Sequence, residues 1–210
     1  MEILKQLSSQ KSDKTEASNI IAAEKCIADS RILAEIAIGL EDTDKKLQAD
    51  CMEVFTFVSE KKPELVVPYT DNILPLLYSK ETKARWEAVH TLSFIADKIP
   101  DVIVSILPVL QSLIEKDKST IVRDYAIDTA ANYAKVNAET SEKSYELLKY
   151  ALELWGEKHA KQVFKGFNHV LDNCSDYKAE INLLVKPYLS ASKKIVATEA
   201  KKIVKRTEKQ

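Results

Sequence analysis

A repeat constrains this chain more than any other feature. Pro63 and Pro100 stand 37 residues apart, each followed by an acidic residue and an apolar pair, Glu64-Leu65-Val66 and Asp101-Val102-Ile103. Arg85 and Arg123 are 38 apart, and Lys161 continues that register 38 further on. Pro68, Pro108 and Pro187 recur at spacings of 40 and 79, close to one and two periods. Between these markers an apolar run, a short polar turn and a second run alternate. Tested against a 3.6-residue period, the second runs collect one-sided stripes. One stripe holds Cys51, Met52, Phe55 and Val58. The next holds Ala88, Val89, Leu92, Ile95 and Ala96, and a third holds Ala126, Ile127, Ala130, Tyr133 and Ala134. A helix pair of this size cannot bury such a stripe alone, whereas stacked neighbours can.

Composition agrees with a helical reading. The chain of 210 residues has only three glycines, Gly39, Gly156 and Gly166. Sheets need tight turns, and tight turns need residues that tolerate positive φ. Eleven helices are predicted, over 15–28, 30–40, 44–61, 64–79, 81–98, 101–116, 119–136, 140–155, 157–173, 176–189 and 192–206. Asp29-Ser30, Asp44, Ser119, Thr140-Ser141 and Ser175-Asp176 are the expected caps. The same glycine scarcity leaves no phosphate-cradling loop and no nucleophile elbow. Cys26, Cys51 and Cys174 are odd in number and never in CxxC pairs, which suits buried reduced thiols in a cytoplasmic protein. There is no signal-peptide pattern and no apolar run long enough to span a membrane.

The pattern resembles HEAT repeats. The residues that carry the resemblance are Pro68 with Arg85, and Pro108 with Asp117 and Arg123. Gln48 stands where the arginine would be in the preceding unit, and Lys161 in the following one. The resemblance implies an all-α fold, a right-handed α-α superhelix (α-solenoid) of about five helix pairs plus a leading helix. It would occupy residues 15–207 as a single repeat domain. Residues 1–14 would be a short helix or a loose segment, and 208–210 a tail. The resemblance also implies a scaffold rather than an enzyme, with second helices lining a concave surface. Pro68, Arg85, Pro108, Arg123 and Pro187 are then structural residues of the period, the arginines as ion pairs or carbonyl caps.

Projecting the second helices at 100° per residue places Trp86, Glu87, His90, Phe94 and Asp97 opposite the apolar stripe. Glu53, His90, Asp128 and His169 fall near one line across the repeats. Phe57, Phe94, Asn132 and Asn173 fall near another, and Trp86 shares a third with Asp124. Aromatic side chains in a polar groove are what binding hot spots are made of. The expected partner surface is therefore Glu53, Phe57, Trp86, Glu87, His90, Phe94, Asp124, Asp128, Asn132 and His169. With Asp50, its carboxylates predict a basic or amphipathic peptide or protein as partner, and they would repel nucleic acid.

Two other readings start from the same residues. Alkylation-repair DNA glycosylases share a HEAT-like fold, and Trp86, Trp155, Asp124 and Arg123 are the residues this chain could offer. A self-associating assembly subunit is the third reading. No cofactor and no metal site is predicted, because Asp124 and Asp128 lack a third ligand at helical spacing and His90, His159 and His169 form no HxxxH set. Residues 191–210 carry seven Lys or Arg and two Glu, a local net of +5 against −1 for the whole chain. That reads as the solvated face of a terminal helix.

Overall fold

The computed structural model describes residues 2–208; Lys209 of the basic run and positions 209–210 of the expected tail lie outside them. Among the described residues there are eleven α-helices and no strand. They gather into two compact units, divided between Lys98 and Ile99.

The first unit opens with a 3₁₀ turn at Leu4–Gln6, which buries Ile3, Leu4 and Leu7. Helices α1 (Ala17–Ala28), α2 (Ile32–Gly39) and α3 (Lys45–Lys61) follow. After a broken segment that contains α4 (Thr70–Ile73) comes α5 (Thr82–Ile95). Helix α3 packs on α2, and its flanks meet α1 and α5. It is buried on several sides, from Leu47 through Ser59, with only Phe57 half-exposed in that span. Asp44 starts it as the side-chain cap, accepting from the N–H groups of Lys46 and Leu47. Asp44→Ala should cost about 1 kcal/mol, read as a drop of about 2–4 °C in Tm.

The second unit contains α6 (Pro100–Lys116), α7 (Thr120–Tyr133), α8 (Ala138–Trp155), α9 (Ala160–Asn173), α10 (Lys178–Val185) and α11 (Lys194–Glu208). These are three helix pairs. The second members α7, α9 and α11 stack in order, and α6 stacks on α8. With the two pairs of the first unit they make five, and α1 is the leading helix. Gly166 permits a close approach in this unit. A Cβ there would lie 2.5 Å from Leu148 Cδ1 on α8 and 3.1 Å from Ala131 Cβ on α7.

The prolines divide into two kinds. The expected helix 64–79 is not continuous. It is 3₁₀ at Pro63–Leu65 and Val67–Tyr69, α only at Thr70–Ile73, and 3₁₀ again at Leu74–Tyr78. Pro68 and Pro75 each remove an N–H and clash with the preceding turn, so only the single α turn Thr70–Ile73 survives between them. Pro187 likewise ends α10 and leaves 3₁₀ geometry over Lys186–Ser190. Pro108 sits inside an unbroken α6, with its ring on the exposed side. Helix α8 also starts earlier than expected. Asn137 and Thr140 form a reciprocal capping box, so Thr140 is the third residue of the helix rather than its cap.

Candidate polar faces of the second helices

The repeat-locked cations act on the turns. Arg85 donates from Nη1 to the carbonyls of Ser79 at 2.7 Å and Lys80 at 3.0 Å. Arg123 donates from Nη1 to the Asp117 carbonyl at 3.0 Å. Gln48, one unit earlier, donates from its amide to the Leu40 carbonyl at 2.6 Å. A helix end leaves carbonyls without intrahelical partners, and in each case the next helix sends back a side-chain N–H to meet them. Lys161 is exposed. Arg123 is buried and also lies over Trp155, its Cζ 4.0 Å from the ring centroid. The indole N–H of Trp155 donates to the Ile114 carbonyl at 2.8 Å. Trp155 is therefore held at both its face and its edge, which does not suit it to stack on a nucleobase.

In the first unit, α1, α3 and α5 are joined by side chains in register. Asn19, fully buried, donates to Glu53 Oε2 at 2.6 Å and accepts the Ser8 N–H at 2.9 Å. Asp50 accepts the Ser9 N–H at 2.7 Å. Lys83 Nζ lies 3.2 Å from Glu53 Oε1 and 3.8 Å from Asp50 Oδ1. Lower on the same face, Thr56 Oγ1 is 2.7 Å from Glu87 Oε2 and 2.9 Å from Thr91 Oγ1. Burial pushes the Glu87 carboxyl up to about 7, and the nearby Glu53 adds to the rise against Thr56 and Lys83. His90 is half-buried, and burial pushes its imidazole down to about 4. Its ring lies 4.9 Å from that of Phe94. Its Nδ1 is 4.0 Å from Glu87 Oε2, and between pH 4 and 7 both groups are held neutral. Trp86, Phe94 and Phe57 are half-buried, neither free in solvent nor lost in the core.

The second unit has its own register. Asp124 accepts from His159 Nδ1 at 2.6 Å, and Asp128 accepts from Lys165 at 2.9 Å. Arg206 of α11 binds Asp172 at 2.7 Å and the Asn168 carbonyl at 3.0 Å. His169 is half-buried, with Asp172 3.7 Å away; burial, then Lys135, pulls its imidazole down. Asn132 is buried, and Asn173 donates to the Ala134 carbonyl at 2.8 Å.

Within each unit the expected carboxylates thus meet donors from an adjacent helix or its start. The sequence projection missed those donors. Asn19, Lys83, His159, Lys165 and Arg206 stand 30–38 residues from their partners, and that spacing, one period, was the available signal. Arg206 belongs to the basic C-terminal run, so part of that run is tied to the preceding repeat. Cys26 and Cys51 are buried, and burial pushes the Cys26 thiol up to about 12. No group of three metal-ligating side chains occurs among the described residues, and no helix there is long and apolar enough to cross a membrane.

No family model and no curated protein matches the chain. Solved structures do. A designed armadillo repeat protein in complex with the peptide (KR)4 matches with a TM-score of 0.76 at 16% identity, over 99% of this chain and 98% of that one. A second designed armadillo repeat protein matches with a TM-score of 0.74 at 14% identity, over 99% of both chains. An engineered protein gives 0.74 at 17% identity, over 99% of this chain and 95% of that one. The chain has an all-α fold of the α-solenoid class, similar to armadillo-type repeats.

Proposed function

We propose that this chain is a non-catalytic scaffold that holds a peptide, basic or amphipathic, on the polar faces of its second helices. The single observation behind this reading is the strip on α5. Trp86, His90 and Phe94 lie half-exposed there, and the adjacent α3, which packs on α5, carries the carboxylates of Asp50 and Glu53. Rigid aromatic side chains ordered by packing lose little freedom when a ligand covers them, and nearby carboxylates favour a cationic partner. The similar designed protein that carries a (KR)4 peptide supports the class of ligand. Asp124, Asp128 and His169 would serve the second unit in the same way, and Phe57 the first, whereas Glu87 and Asn132, expected on this surface, are buried and support it from within. The period marked by Pro68, Arg85, Pro108 and Arg123 favours the HEAT type within the solenoid class, with residues 15–207 as one array. Three free cysteines, two of them buried, fit a reducing compartment such as the cytoplasm.

The test is fluorescence anisotropy of a labelled (KR)4 peptide against wild type and the double variant Trp86→Ala, Phe94→Ala. The variant should bind about tenfold or more weakly, with far-UV circular dichroism unchanged. Equal affinity, or no binding by wild type at millimolar peptide, would sink the reading.

A further inference from the structure

The first unit contains a cleft of about 1020 Å³ between the Ser8–Glu16 segment, the start of α3 and the start of α5. Ligand pockets of this size are ordinary for small molecules and peptide side chains. Three features of its interior go together. Asp50 and Glu53, at i and i+3 on α3, share one face and are both nine-tenths buried, at 5% and 6% exposure. The cation that answers them, Lys83, is much more exposed, at 41% of its side chain, and lies nearer Glu53 than Asp50. Ser8 also lines the cleft, is 5% exposed, and its hydroxyl has no hydrogen-bond partner.

Asp50 accepts from the Ser9 N–H and Glu53 from Asn19, and Lys14, Lys45 and Lys46 also line the cleft. But the two carboxylates share one flexible ammonium, so this part of the floor is net negative. Burying charge is costly unless it is paired and hydrogen-bonded. An ammonium is a point charge, and at 3.8 Å it makes no hydrogen bond to Asp50. A guanidinium is planar, with five N–H donors in a fixed fork that can span two carboxylates. We propose that this cleft is a binding site for an arginine side chain of a peptide ligand. Its guanidinium bridges Asp50 and Glu53, and one further N–H is available to the Ser8 hydroxyl oxygen. Lys83 is then a resident competitor. It occupies the floor when no ligand is bound and swings into solvent when the guanidinium enters.

This inference deepens the peptide-binding reading and rests on it. Its test uses a probe too small to touch the α5 aromatics in the same way. N-acetyl-argininamide is titrated into the ¹⁵N-labelled full chain, with neutral N-acetyl-citrullinamide as control. The arginine derivative should shift the amides of Ser8, Ser9 and Asn19, and the citrulline derivative should not. Lys83→Ala should tighten binding by about tenfold, because a competing charge is gone. Glu53→Gln should weaken it by about tenfold. Ser8→Ala, which keeps the carboxylates and is the safer variant for folding, should weaken it by about threefold. A Lys83→Ala variant that binds no tighter, or shifts confined to residues outside the cleft, overturns the site. If (KR)4 binds while Ser8, Ser9 and Asn19 stay unshifted, the peptide reading survives and the arginine site falls. If the arginine derivative binds here and long peptides do not, the reverse holds.

Discussion

Glu87→Gln should raise the stability of the chain at pH 8 by about 3 kcal/mol. The carboxyl is 3% exposed and held up at about 7 against an ordinary value of 4.5. Between those two values the folded chain keeps the proton and the unfolded chain has lost it. Stability therefore falls as pH rises from 4.5 to 7, and the favourable contribution is complete only below 4.5. Glutamine stays neutral at every pH and can keep the contact with Thr56. His90 works in the opposite direction. Its imidazole is lowered to about 4 from 6.5, so its contribution is present above 6.5 and lost as pH falls towards 4. In wild type the two slopes oppose each other between pH 4.5 and 6.5. In Glu87→Gln only the His90 slope remains, so stability should climb with pH across that window. Urea denaturation at pH 4.5, 6.5 and 8 reads all of this. A variant no more stable than wild type at pH 8 would show that the Glu87 carboxyl is not held above its ordinary value.

Arg123→Ala should cost about 3 kcal/mol, whereas Arg85→Ala should cost about 1. The two residues hold the same place in the period and both cap the turn before their helix. Only Arg123 is buried and stacked on an indole. Truncating it uncovers Trp155 and leaves the Asp117 carbonyl without its charged donor. Arg85 is half-exposed, and water can take over its carbonyls. Arg123→Lys should recover less than half of the loss, because an ammonium cannot stack flat while reaching the turn. Chemical denaturation of the three variants decides it, and equal costs for both alanine variants would contradict the role given to the stack.

The fold was legible because its signals are periodic. The stripes Ala88–Ile95 and Ala126–Tyr133 and the markers Arg85 and Arg123 each repeat, and five pairs with a leading helix follow from counting them. The broken first helix at 63–78 was harder to read. Pro68 looked like one bend in a helix, but Pro63, Pro68 and Pro75 together leave no room for a full α turn except at Thr70–Ile73. The candidate site was half legible. Helical projection shows which residues share a face on one helix, so it found Glu53, Glu87, Asp124 and Asp128. It says nothing about what the adjacent helix sends across, so these polar faces looked more charged than they are. Lys83, Lys165 and Arg206 balance them, and Glu87 keeps its proton until the pH rises to about 7.

Apolar stripes of Ala, Leu and Val are nearly interchangeable, and helices stacked on them alone could slide by a turn or exchange neighbours. Asn19 with Glu53, Asp124 with His159, and Asp172 with Arg206 each accept one partner at one height. The chain therefore carries an address system. Within each unit, such a helix names its neighbour by a side chain that would be stranded opposite any other. Repeats cut from this protein and shuffled would keep their hydrophobic faces and lose their order, and a lengthened version would need new matched pairs at every added junction.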